Sequence, residues 1–219
     1  EMDGQQLDAM RNVREVHRYV ALLKDFARKK DLSNGTSLHL DIRKRGFLKR
    51  SVYLHLSSSL INMYAKCGAL DKAHEVLEEL HIRNEFSWNA LVSGYAQHGQ
   101  GHDALKCFEQ MRSEGFVPDQ VSFLCILSAC SHSGLSFEAQ MHFRNMMRKY
   151  GIVPNLEHHI CMVMVFGCEG YFDTAISVIQ AMPSSYNNPG PWLALLGACR
   201  KWGNAKLGRL AFDQVVQSR

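Results

Sequence analysis

The sequence predicts an all-α fold, a right-handed α-α superhelix of tandem helical hairpins, and two observations predict it. Turn glycines recur at a nearly constant interval: Gly68, Gly99, Gly134, Gly170 and Gly203 lie 31, 35, 36 and 33 residues apart, and Lys30 holds the corresponding place in a sixth copy upstream. The residues around each mark also obey one rule. Eight and seven places before it stands an apolar pair (Leu22/Leu23, Leu60/Ile61, Leu91/Val92, Ile126/Leu127, Met162/Val163, Leu195/Leu196). Five places after it the residue is small (Gly35, Ala73, Ala104, Ala139, Ala175, Gly208), and twelve places after it apolar (Ile42, Leu80, Met111, Met146, Met182, Val215). Apolar residues at helical spacing put one face of each helix into a core, and a small residue lets two helices cross closely. One hairpin cannot bury its own apolar face, but stacked hairpins share a continuous core.

Taken in order, residues 1–15 read as a helical remnant of a preceding repeat. Residues 16–50 form a long repeat with helices near 17–29 and 31–45, followed by the basic connection LKRSVYL. A short repeat covers 54–84, a standard one of 35 residues covers 85–119, a long one covers 120–155 and a second short one covers 156–187. Pro118, Pro154, Pro183 and Pro189 fall between repeats, where helices must stop. Pro191 suits the first turn of a final hairpin, 188–219, which stops soon after its second helix.

Composition narrows the function. The net charge of +4 is concentrated: residues 1–50 hold 12 Lys/Arg against 7 Asp/Glu, and the rest hold 13 against 14. Arg28, Lys29, Lys30, Arg43, Lys44, Arg45, Lys49 and Arg50 make the excess, which favours a polyanion or forms a solvated helix face. No apolar run reaches the roughly 18 residues of a membrane span, so no membrane partner is expected. Nothing at the N-terminus reads as a signal or transit peptide, and the chain opens on Glu1, as a piece of a longer protein would. The seven cysteines include no CxxC pair and no zinc-site spacing. Cys107, Cys125, Cys130 and Cys161 sit among apolar neighbours, which suits a reducing interior. No metal or cofactor is expected.

The segments LINMYAKCGALDKAHEVLEEL, SWNALVSGYAQHGQGHDALKCFEQM, FLCILSACSHSGL and PWLALLGACRKWGN resemble the pentatricopeptide repeats (PPR) of land-plant organellar RNA-binding proteins. The mixture of short, standard and long repeats resembles the PLS subclass, and the last hairpin resembles the tetratricopeptide-like E-type extension of RNA-editing factors. A tetratricopeptide array would hold a constant 34-residue spacing. The resemblance implies single-stranded RNA read one base per repeat by two or three side chains. These are the fifth and last residues of a repeat, with the second residue stacking on the base. In the standard repeat they are Asn89, Asp119 and Phe86, a combination that implies uridine, with Phe86 and Val121 sandwiching the base. In the preceding short repeat they are Ser58, Asn84 and His55, which implies adenine. Val20, Leu124 and Ile160 occupy the fifth place elsewhere; an aliphatic group offers no hydrogen bond, so the long repeats read as spacers, and Ile160 with Asn187 leaves the last short repeat undefined. With protein N-terminus at the RNA 5′ end, as in the family, the site contains A followed by U.

Each residue has a plainer alternative. Asn89 and Ser58 near helix starts could be caps, and Asp119 a turn residue or the cap of the next helix. Phe86 could be core, although Trp88 suits the core better. Lys66 is a candidate phosphate contact or a solvated side chain. Cytidine deamination would need an H-x-E motif and a P-C-x-x-C pair. Neither occurs here, so the chain reads as no enzyme by itself, and His158-His159 beside Cys161 reads as structural.

At about 1–3 kcal/mol of stacking per base, two reading repeats supply about 2–6 kcal/mol, a dissociation constant no tighter than tens of micromolar. Weak RNA binding follows, with multiple organellar RNA-editing factors or a DYW-type deaminase in trans as the partners the family implies, in a mitochondrion or chloroplast. The sequence leaves two other readings open: a tetratricopeptide-like protein scaffold, and a PPR factor for RNA processing or stability without editing.

Overall fold

A computed structural model describes residues 4–49, 54–183, 186 and 188–217. The expected basic connection at 50–53 and Asn187 lie outside them. Among the described residues there are twelve α-helices and no strand. The chain divides into two compact units, residues 1–98 with 107–117, and residues 99–106 with 118–219.

The first unit contains α1 (Gly4–Lys29), α2 (Leu32–Lys44), a 3-10 turn (Phe47–Lys49), α3 (Leu54–Lys66), α4 (Leu70–Glu79), α5 (Glu85–Gln97) and the second half of α6 (Gly101–Ser113). Its hairpins are α1–α2 and α3–α4, and the first helices pack in sequence, α1 on α3 and α3 on α5. α1 runs unbroken through residue 15, because neither glycine nor proline interrupts it after Gly4. The second unit repeats the plan with α7 (Gln120–Ser133), α8 (Ser136–Arg148), α9 (Leu156–Cys168), α10 (Phe172–Gln180), α11 (Gly190–Trp202) and α12 (Ala205–Gln217). There α7 packs on α9 and α9 on α11.

The register marks are the left-handed turn residues. Gly68, Gly99, Gly134, Gly170 and Gly203 all have φ between +66° and +83°, and Lys30 has φ +54°, the one positive φ at a non-glycine among the described residues. At five of the six turns the residue after the mark donates its N–H to the carbonyl four places before the mark, at 2.9–3.0 Å (Asp31 to Phe26, Ala69 to Tyr64, Leu135 to Cys130, Tyr171 to Phe166, Asn204 to Cys199). This is the Schellman closure, which satisfies helix-end carbonyls and requires a left-handed residue.

The packing positions behave as their types dictate. Leu23, Leu60, Ile61, Leu91, Val92, Ile126, Leu127, Val163 and Leu195 are fully buried, as are Ala73, Ala104, Ala139 and Ala175. A Cβ on Gly35 would stand 2.4 Å from Met63 Sδ, so α2 and α3 meet at a distance only glycine allows without a shift.

A further rule emerges in three dimensions at four of the five turn glycines: the residue just before the glycine reaches back to the turn of the preceding repeat. His98 Nε2–H donates to the Ala65 carbonyl at 2.7 Å, and Trp202 Nε1–H to the Cys168 carbonyl at 3.2 Å, each occupying a helix-end acceptor. Ser133 Oγ accepts from Gly101 N at 3.0 Å, and Glu169 accepts from Ser136 N at 3.1 Å and Ser136 Oγ at 2.6 Å. These last two supply an N-cap from the next repeat, Ser133 to α6 and Glu169 to α8, whose own cap position, Leu135, has no side-chain oxygen to offer.

Candidate nucleic-acid interface

Three first helices, α5, α7 and α9, begin with a polar cap, and that cap is the last residue of the repeat before. Asn84 Oδ1 accepts from Ser87 N at 2.9 Å and Ser87 Oγ at 2.8 Å, opening α5. Asp119 Oδ1 does the same for Ser122 N and Oγ, both at 2.8 Å, opening α7 in a closed capping box. Asn155 opens α9, with His158 as its box partner. Of the plainer alternatives, the cap is therefore the role of Asp119 and Asn84, while Asn89 and Ser58 stand one turn inside their helices. Asn84 spends one oxygen on the cap, and its amide NH₂ takes no partner among the described residues.

In the first compact unit four of the expected contact residues gather. His55 and Ser58 are three apart on α3 and therefore share a face. The rings of His55 and Phe86, the second residues of successive repeats, lie 6.2 Å apart, tilted by 56°. Phe86 is 60% exposed while Trp88, two places on, is fully buried, so the two aromatics divide surface and core between them. Asn84 immediately precedes the helix that carries Phe86. Ser58 Oγ makes only long contacts to the Leu54 and His55 carbonyls, 3.4 and 3.3 Å, which leaves the hydroxyl available to a stronger partner. Asn89 is buried on α5, at 7% exposure. Lys66 is exposed at the end of α3.

Asp119 and Val121 belong to the second unit, both exposed, Val121 at 53%. The fifth residues there are used differently. Leu124 packs against the buried cluster around Leu127, Cys161 and Leu195, and Ile160 Cδ1 approaches Gly190 so closely that a Cβ there would be 2.8 Å away.

His158 is fully buried, and desolvation lowers its pKa, keeping the ring neutral. Its Nε2–H donates to the Gln120 carbonyl at 3.0 Å and its Nδ1 accepts from Asn155 N–H at 3.3 Å, so His158 joins α9 to the start of α7. Among the described residues no three His, Cys, Asp or Glu side chains cluster as metal ligands would. All seven cysteines are free, and burial pushes the Cys107 and Cys130 thiols up to about 12 and Cys161 to about 11.

Of the eight basic residues that make the N-terminal excess, Arg28, Lys29, Arg43 and Arg45 are ion-paired, and the pairs with Glu79 and Glu15 lie out of reach of sequence reading. Arg43 pairs with Glu79 at 3.4 Å, and Arg45 with Glu15 at 2.8 Å and Asp41 at 3.2 Å. Arg28 and Lys29 both hold Asp25. His17 and Lys24 of α1, which the sequence left unremarked, line with Val20 a groove of about 440 Å³ shared with His55, Ser58 and Ser59 of α3. Their i, i+3, i+7 spacing was the available signal.

Fold and caps together define a tandem helical-hairpin repeat protein with a polar and aromatic residue set on the outer turns of its first helices. Profiles described as PPR repeat match residues 57–84 and 121–150, and one described as PPR repeat family matches 83–132. Residues 57–150 thus match pentatricopeptide repeat models. A putative pentatricopeptide repeat-containing protein of Arabidopsis thaliana is 39% identical over 98% of this chain, and the chloroplastic pentatricopeptide repeat-containing protein CRR2 of the same plant is 36% identical over 95%. The chain spans 21% and 33% of the lengths of those two relatives. The crystal structure of PPR10 in complex with an 18-nt psaJ RNA element matches with a TM-score of 0.65 at 18% identity, covering 91% of this chain and 34% of that one. PPR10 from maize matches with a TM-score of 0.56, also at 18% identity, over 91% of this chain and 36% of that one. The fold class is the all-α repeat superhelix.

Proposed function

We propose that this chain is a sequence-specific, single-stranded RNA-binding repeat module, and that it forms the C-terminal part of an organellar C-to-U editing specificity factor. The observation that carries the RNA reading is the His55–Phe86 pair: two exposed aromatic rings from successive repeats, beside Ser58 and the spare amide of Asn84. An exposed ring pair is what a base stacks on, and the polar groups beside it can meet a base edge. The RNA named in the PPR10 complex and the plant relatives support the same reading. Ser58 with Asn84 selects adenine and Asn89 with Asp119 selects uridine, so A precedes U. The repeats bind rather than catalyse; a DYW-type deaminase, in trans or elsewhere in a longer chain, supplies the reaction, and multiple organellar RNA-editing factors raise the affinity. The site of action is a mitochondrion or chloroplast.

The test is a competition gel-shift series. An A-U strand should outcompete a U-A strand by about tenfold, the product of two discriminations of about 0.5–1 kcal/mol. Asn89→Ser, with Asp119 kept, should move preference at the second base from U toward G. Binding that persists with an unchanged preference for U in that variant removes Asn89 from the reading role.

One observation favours a protein-binding scaffold instead. Leu193, Trp202, Leu210, Phe212 and Val216 of the last hairpin are each 49–54% exposed, an apolar surface that RNA does not need. Equal, weak binding of both strands supports that reading.

A further inference from the structure

The joint between α3 and α5 carries Ser58 on one side and Asn89 on the other, and its far end is fastened by a residue outside both the core and the reading positions. His98, the C-cap residue of α5, is exposed, and its Nε2–H donates to the Ala65 carbonyl at 2.7 Å. Four residues earlier on the same face, Gly94 meets Ala65 itself: a Cβ on Gly94 would stand 2.7 Å from Ala65 Cβ. Ala65 is thus held twice, by the closest approach of the two helices and, one turn on, by a directed hydrogen bond. A single close contact leaves a helix free to pivot about it. A second attachment away from that contact stops the pivot.

The joint between α9 and α11 repeats the arrangement with different residues. There a Cβ on Gly167 would stand 2.6 Å from Ala198 Cβ, and Trp202, four residues after Ala198, donates its Nε1–H to the Cys168 carbonyl at 3.2 Å. Counted from the turn glycines, Gly94 and Ala198 hold one position, Ala65 and Gly167 another, and His98 and Trp202 a third. The Cys67 thiol, at that third position in repeat 54–84, turns instead to Met63 Sδ of its own helix, at 3.9 Å. The lever is long enough to matter. Asn89 lies five residues before Gly94, about 7.5 Å along the axis at about 1.5 Å per residue. A pivot of about 10° would carry Asn89 by about 1.3 Å, enough to stretch a hydrogen bond of about 2.9 Å past the limit of about 3.5 Å.

We propose that His98 is a positioning residue for RNA: its bond to the Ala65 carbonyl sets the tilt of α5 on α3, and so holds Ser58 and Asn89 at the separation of two adjacent nucleotides. The proposal rests on the RNA reading above and adds to it a residue nine places along α5 from Asn89.

The experiment uses the whole chain and fluorescence-labelled strands carrying A-U, U-A or A-N-U, the last with one nucleotide inserted. Wild-type protein should favour A-U over A-N-U by about fivefold, the factor for one hydrogen bond. His98→Phe keeps an aromatic ring but has no N–H to donate. It should bind A-U more weakly and A-N-U unchanged, bringing the preference below about twofold. His98→Trp supplies the N–H that Trp202 uses at the same position, and should keep the wild-type preference. A residue that merely supported the fold would weaken all three strands alike. A preference for A-U over A-N-U that is unchanged in His98→Phe, or absent from a wild-type protein that still favours A-U over U-A, overturns the positioning role and leaves the reading residues standing. Loss of the preference in His98→Trp as well overturns the claim that the bond to Ala65 acts. Equal binding of A-U and U-A by wild-type protein overturns the RNA reading, and this proposal with it.

Discussion

The two compact units build the same hairpins from the same packing positions, yet put different chemistry at the fifth residue. In the first, Ser58 and Asn89 are polar, and His55 and Phe86 expose rings beside them. In the second, Leu124 and Ile160 turn to neighbouring apolar groups, and the second-position residue Val121 offers a small aliphatic surface. The scaffold is indifferent to what the fifth position carries, because the helix start is secured by the caps Asn84, Asp119 and Asn155 and by the turn residues, not by that side chain. Recognition can therefore vary repeat by repeat without cost to the fold.

The largest expected effect tests whether the two scaffolds are equivalent. Trp88 and Phe123 hold the same fourth position, exposed 0% and 1%. Trp88→Ala and Phe123→Ala should each lose about 3–5 kcal/mol, measured by urea unfolding. A loss of less than about 1 kcal/mol in one alone would break the equivalence.

Alkaline pH should separate the units next. Desolvation raises the Cys107, Cys130 and Cys161 thiols from 9.0 to about 12, 12 and 11. Desolvation, then the 2.6 Å hydrogen bond to Asp41, raises Tyr19 from 10.0 to about 12. A raised folded pKa means that the unfolded chain releases its protons first, so this contribution is intact below pH 9 and declines as pH rises toward 12. Unfolding followed from pH 8 to 11 should show stability falling above 9, with Cys130→Ala and Cys161→Ala flattening the fall. A pH-independent midpoint contradicts the buried, neutral thiols.

A transplant sharpens the comparison further. Leu124→Asn should create base discrimination at its nucleotide of about fivefold, one hydrogen bond of about 1 kcal/mol, while Asn89→Leu should erase it at the uridine. Strand competition reads both. Discrimination unchanged in either variant would show that the fifth position does not separate the units.

The smallest effect concerns the turns. Lys30 adopts φ +54° where the other five repeats have glycine. Lys30→Gly should stabilise by up to about 1 kcal/mol, the left-handed strain relieved less the added freedom of the unfolded chain, seen as a rise in Tm.

Much of the fold was legible because its signals are local. A left-handed turn needs glycine or tolerates little else, a helix crossing needs a small residue, and both recur at the repeat length. Lys30 could be placed from spacing alone, and its backbone conforms. The reading face was legible only in part. Asn84 and Asp119 could be named as last residues, and a cap of the next helix is one alternative for Asp119, but spacing alone does not offer that role for Asn84.

What the sequence by itself determined is the period, the buried positions and the all-α repeat class, since each depends on residues within one hairpin. Tertiary structure decided the rest: that His98, Ser133, Glu169 and Trp202 reach back one repeat, that Arg43 and Arg45 spend their charge on Glu79 and Glu15, and that His17, Val20 and Lys24 meet His55 and Ser58 across a groove. Those partners lie about 30 to 40 residues apart, a distance only the stacking of helices closes.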